Sequence, residues 1–140
     1  MQPVKLGVEE LTELMDRVFP QVSRGFAIEE ITPAGIRVRL RTGEEHLRPG
    51  GTVSGPSMFA LADVGIYLAI LARLGPVTLA VTTSASIDFM RKPEAGRDLI
   101  AEVTLLKLGR ALAVGDVLIR SEGQEAVVAR SSMTYSIPPR

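Results

Sequence analysis

Hydrophobic positions change period along this chain, and the changes divide it into elements. Between Leu6 and Phe19 the residues Leu11, Leu14, Met15 and Val18 recur at three and four residues, the spacing of one helix face. Glu9 and Glu10 fall in the first turn, where the helix dipole favours negative charge, and Pro20 closes the segment. From Gly25 to Arg41 the period drops to two. Ile36, Val38 and Leu40 alternate with Arg37, Arg39 and Arg41, and Thr32-Pro33-Ala34-Gly35 supplies a turn. A hairpin is expected, with the arginines on a solvated face.

Thr42 to Gly55 is rich in glycine and charge and reads as a loop. Pro56 to Leu74 is apolar almost throughout. Pro56 suits a first helical turn, where its missing N–H is not needed, and Gly75-Pro76 ends the helix. Four strands should follow, over Val77–Met90, Asp98–Lys107, Ala111–Arg120 and Glu125–Ile137. Leu108-Gly109-Arg110 and Ser121-Glu122-Gly123-Gln124 mark turns, and strands this close in sequence should pair antiparallel. A helix apolar nearly all round must be buried. One antiparallel sheet curled round that helix satisfies both halves of the pattern, an α+β architecture in a single domain over residues 1–140. Within it the N-terminal helix occupies 1–20 and the central helix 56–74.

Composition narrows the function. Hydrophobic residues make up 46% of the 140, enough for a real core. Sixteen Lys and Arg balance sixteen Asp and Glu, which argues against bulk electrostatic binding to nucleic acid or an acidic membrane. The absence of cysteine excludes disulfides, thiolate nucleophiles and thiolate metal sites. Met1 to Leu14 lacks the apolar run of a signal peptide. The most apolar stretch, Ser57 to Ala72, is shorter than the roughly 20 residues of a spanning helix. A cytoplasmic protein is expected.

Candidate chemistry is sparse. His46 is the one histidine and lies in a charged loop, where a surface position is expected. A Ser-His-Asp triad or a His/Cys zinc site therefore has little to build on. Gly50 to Gly55 precedes a helix but lacks a P-loop lysine and the dinucleotide spacing. Asp63 is the one carboxylate in Ser57–Ala72, about two turns into the helix and too deep to be an N-cap. An unpaired buried carboxylate costs several kcal/mol, so Asp63 needs a partner or a wet cleft. It is a candidate general base or nucleophile, or a structural Asp at a subunit contact. At the helix start the Gly55 N–H could bind a developing oxyanion, while Pro56 has no N–H to offer. Ser54 could donate one hydrogen bond or cap the helix.

Gly51-Thr52-Val53-Ser54-Gly55-Pro56, followed by an apolar helix carrying Asp63, resembles the helix-start motif of the PaaI-like hotdog thioesterases, roughly G-x-x-H-G-G. Thr82 to Arg91 resembles that family's next strand, and Lys107-Leu108-Gly109-Arg110 its following β-turn. Ser54 stands where the family has its histidine, Pro56 where it has the second glycine, and Arg48 where some members place Asn or Gln. The resemblance implies a hotdog dimer, often paired into tetramers, that hydrolyses acyl-CoA thioesters without metal or organic cofactor at the dimer interface. By position it implies Asp63 as base or nucleophile, Gly55 as oxyanion donor, and Thr82, then Thr83, as the hydroxyl that places water. Alternation allows only one of those two threonines to face the site. It also implies coenzyme A phosphates near Arg91, Lys92 and Arg110. Two other functions stay open: a non-catalytic acyl-CoA or small-ligand module, and a hotdog dehydratase or hydratase that would have to use His46.

Overall fold

The computed structural model describes residues 1–139. Helix α1 runs Val8–Val18, with Glu9 and Glu10 in its first turn and the Glu10 carboxylate accepting the Gly7 N–H. Pro20 does more than close it. It stands at the start of a second short helix, α2 (Pro20–Gly25), because a proline lacks only an N–H that a first turn leaves unused. Strands β1 (Phe26–Thr32) and β2 (Gly35–Leu40) form the expected hairpin about Pro33-Ala34. The loop contains a short 3₁₀ turn at Glu44–His46 and one bridge, Leu47 to Val53. Helix α3 covers Gly55–Leu74. Then come β3 (Val81–Phe89), β4 (Leu99–Leu108), β5 (Leu112–Ser121) and β6 (Val127–Ser136).

The six strands make one antiparallel sheet in the order β1-β2-β4-β5-β6-β3. Strand β3 is therefore carried across to the far edge, and α3, the connection that carries it there, lies on the concave face. This is the hotdog architecture. β3 begins four residues later than the apolar pattern indicates, because Val77 to Ala80 is closed into a turn by the Val77 and Ala80 N–H groups. Register slips at Ile28/Glu30, Thr82/Ser84, Leu105/Lys107 and Ile119/Arg120 curl the sheet, as bulges do.

α3 begins one residue before the expected Pro56 and ends at the expected Leu74. At 20 residues with mean hydropathy 1.7 it is long and apolar enough to cross a membrane, but most of it is buried within the protein. Two glycines set its depth. A β-carbon on Gly65 would come within 2.8 Å of Val103 Cγ2, and one on Gly115 within 2.5 Å of Ile66 Cδ1.

The arginine stripe is not simply solvated. Arg37 pairs with Glu30 and Glu102, and Arg39 with Glu29, Asp98 and Glu122, all at 2.6–3.1 Å on the outer face of the sheet. The three carboxylates around Arg39, led by Glu122, raise its pKa further above its ordinary range. Only Arg41 of the three is exposed.

Arg73 is a buried cation in the last turn of α3. Its guanidinium donates to the carbonyls of Gln2 at 2.8 Å, Thr32 at 2.6 Å and Pro33 at 3.1 Å. It thereby fastens the N-terminal segment and the β1–β2 turn to the C-terminal end of α3. Removing it would take the charged donor from three partly buried carbonyls, each such bond worth about 1–3 kcal/mol. Arg73→Ala should lower the unfolding free energy by about 3 kcal/mol in urea titration, with Arg73→Lys intermediate.

Candidate active site

The start of α3 is closed by short-range bonds. Ser54 is the N-cap, its Oγ accepting the Ser57 N–H at 3.3 Å and donating to Ser57 Oγ at 3.0 Å. Ser57 Oγ in turn donates to the His46 carbonyl. The Ser54 and Met58 N–H groups go to His46 O and Ser54 O. Pro56 has no N–H. The Gly55 N–H is thus the one donor of this first turn with no acceptor among the described residues. Beside it lies a cavity of about 350 Å³ lined by Arg48, Arg91 and Lys92 together with Phe89 and Met90. A β-carbon on Gly55 would sit 3.3 Å from the Phe89 ring.

Two turns further on, Asp63 opens into a second cavity of about 420 Å³, walled by Phe19, Val64, Tyr67, Val81, Thr82 and Tyr135. The carboxylate is half-buried and has partners. Thr82 Oγ1 donates to Asp63 Oδ1 at 2.5 Å, and the Tyr135 hydroxyl donates to the same oxygen at 2.6 Å, with Asp63 O at 3.0 Å as its alternative. The register explains why both arrive together. Thr82 and Tyr135 are cross-strand partners on β3 and β6, so their side chains share the concave face over α3. Oδ2 has no protein donor among the described residues.

Tyr135 is almost fully buried. Burial first, then the hydrogen bond to Asp63, pushes the phenol well above the ordinary tyrosine range, against a smaller opposing effect of Thr82. The ring remains a protonated donor at neutral pH. Burial also raises Tyr67, whose hydroxyl donates to Thr78 O at 2.9 Å and whose ring meets Phe19 edge-on at 5.9 Å.

The structure thus gathers Thr82 with Asp63, and Arg48, Arg91 and Lys92 with Gly55. It separates others. Thr83 is exposed, and its hydroxyl bonds Thr134 O, away from Asp63. Arg110 is exposed between β4 and β5 and lines neither cavity. Ser54 has its hydroxyl engaged in capping. His46 is half-buried rather than a surface side chain, and its Nδ1 accepts the Gly43 N–H at 2.8 Å. Tyr135 escapes the sequence reading, although one signal was present: the chain has only two tyrosines, and both line the Asp63 cavity.

The Thioesterase superfamily model matches residues 50–128, which spans the α3 start, Asp63 and strands β3 to β5. This chain belongs to the thioesterase superfamily. A Pseudomonas aeruginosa protein named "Putative esterase PA0474" is 32% identical over 101 residues, covering 72% of this chain and 74% of that protein. The crystal structure of a "putative thioesterase" from a Silicibacter species is 58% identical with a TM-score of 0.91, covering 99% of this chain and 96% of that one. A mutant of phenylacetic acid degradation protein PaaI from Thermus thermophilus is 28% identical with a TM-score of 0.69, covering 90% and 99%. Family and neighbours together support a hydrolase of thioesters.

The raised tyrosines give this superfamily member a predictable alkaline limit. An unfolded tyrosine titrates near pH 10. The native Tyr135 value lies higher, so its contribution is fully present below about pH 10 and is lost as pH rises towards the native value. Tyr67 acts in the same sense. The unfolding free energy should fall above about pH 10, by up to about 1.4 kcal/mol per pH unit for each such tyrosine. Tyr135→Phe should show a shallower fall in urea titrations run from about pH 8 to 11.

Proposed function

We propose that the protein hydrolyses an acyl-CoA thioester, with Asp63 and the Gly55 N–H as its two reactive groups. The observation that carries this reading is the pairing of an oriented carboxylate, one oxygen still open, with a helix N–H that has no acceptor among the described residues. Asp63 Oδ2 would take a proton from water as the water attacks the thioester carbonyl, or attack that carbon itself to form a mixed anhydride, which water hydrolyses to the free acid and the regenerated carboxylate once the thiol has left. Negative charge then gathers on the carbonyl oxygen, where the Gly55 N–H and the α3 dipole stabilise it. The C–S bond breaks and the coenzyme A thiolate leaves, taking up a proton. Thr82 helps to fix the carboxylate. Arg48, Arg91 and Lys92 stand beside Gly55 and suit the phosphates of coenzyme A, with Arg110 a more remote candidate.

Within one chain these two groups cannot meet on one carbonyl. Eight residues separate Gly55 from Asp63, about 12 Å along a helix axis. A second copy could bring its Gly55 to this Asp63. Strand β3 supports that reading: it is an open sheet edge, and Leu79, Val81, Phe89 and Met90 on or beside it are at least half exposed. Two such edges meeting antiparallel would form a two-fold dimer with a site at each end.

Two measurements check this. With a panel of aliphatic and aromatic acyl-CoAs, Asp63→Asn should lower kcat by about 10²- to 10⁴-fold; equal rates would remove Asp63 from the mechanism. Tight acyl-CoA binding without thiol release over hours would favour a binding module instead. In light scattering the mass should be twice the 15.0 kDa of the chain, or a multiple of that pair. A monomer that turns over at full rate would refute the shared site.

A further inference from the structure

We infer that Tyr135 is a positioning residue for Asp63: together with Thr82 it occupies Oδ1 and leaves Oδ2 as the one carboxylate oxygen presented to the cavity. This rests on the reading of Asp63 as the reacting carboxylate and adds to it the group that selects the reacting oxygen.

A carboxylate at the end of a short side chain rotates about its last bond, exchanging its two oxygens and sweeping their lone pairs across the pocket. One hydroxyl donor restrains that rotation weakly, because the donor itself turns. Thr82 Oγ1 is such a donor, on an edge strand. Tyr135 is different. Its oxygen is fixed in the ring plane, and the ring is held within the core, 3% exposed and 6.4 Å from the Tyr67 ring. It reaches Oδ1 at 2.6 Å from β6, an interior strand with β5 on one side and β3 on the other. Burial and the neighbouring carboxylate keep its proton in place. Two donors from adjacent strands then define the plane of the carboxylate as well as its distance. Tyr67 shows that a buried phenol on this wall can be satisfied by a backbone carbonyl, Thr78 O, so satisfying the hydroxyl does not by itself require a carboxylate.

The test is Tyr135→Phe, which keeps the ring and removes the donor. With the acyl-CoA that wild type turns over best, kcat should fall about 10- to 100-fold while KM stays within about threefold, since misplacement of a reacting group acts on the chemical step. A change in packing alone would lower the melting temperature without that split. A crystal structure of the variant supplies the second readout: the Asp63 carboxylate should be rotated relative to Thr82. A kcat within about twofold of wild type, or an unrotated carboxylate, overturns the inference. The two readings fail separately. If Asp63→Asn is inactive and Tyr135→Phe is normal, only the positioning role falls; if Asp63→Asn is fully active, both fall.

Discussion

Enclosure of α3 is the constraint on which the rest of the structure depends. Twenty residues, apolar on nearly every side, must be withdrawn from water, and a single curled sheet does this. The sheet must come close, and Gly65 and Gly115 remove the side chains that would hold helix and strands apart. That closeness has a chemical result. Bonds of 2.5 and 2.6 Å from β3 and β6 to Asp63 exist only because α3 lies deep enough for a short side chain to meet both strands. The packing of the core and the orientation of the carboxylate are one geometric fact.

The other end of α3 ties the remote parts of the chain to the same framework. Arg73 holds the N-terminal segment and the β1–β2 turn through three carbonyls. Between those attachments run α1 and α2, and their junction places Phe19 against Tyr67 in the wall of the Asp63 cavity. A residue near the N-terminus thereby helps to shape a site whose carboxylate lies far along the chain. Its place depends on a cation buried without a carboxylate partner among the described residues, held by carbonyl dipoles.

Much of this was legible locally. The α3 limits follow from Pro56 and Gly75, the hairpin turn from Thr32 to Gly35, and β4 to β6 from period two and their turns. Asp63 stood out because a carboxylate in an apolar helix needs a reason. What escaped depends on neighbours distant in sequence. The partners of Arg37 and Arg39 come from β1, β4, the residue just before β4 and the turn after β5, so alternation alone read their stripe as open to solvent. Pro20 signals a stop as well as it signals a start. Tyr135 could be joined to Asp63 only by knowing that β6 pairs with β3 across two intervening strands' worth of chain, which no local pattern states. The weak alternation of β3 itself has a physical cause in the slip between Thr82 and Ser84.

That slip inserts one unpaired residue, Thr83, and so reverses the parity of the strand. Before it, even positions face the helix, and Thr82 does. After it, Ala85, Ile87 and Phe89 lie opposite the buried Met133, Ser131 and Ala129, so odd positions face in. Asp88 is turned outward to Arg130, and Phe89 inward to the glycine at the start of α3. An unbroken strand would have to choose between the threonine at Asp63 and the phenylalanine at Gly55. A single extra residue works as a phase shifter, and it lets one edge strand serve both ends of the helix from the same side.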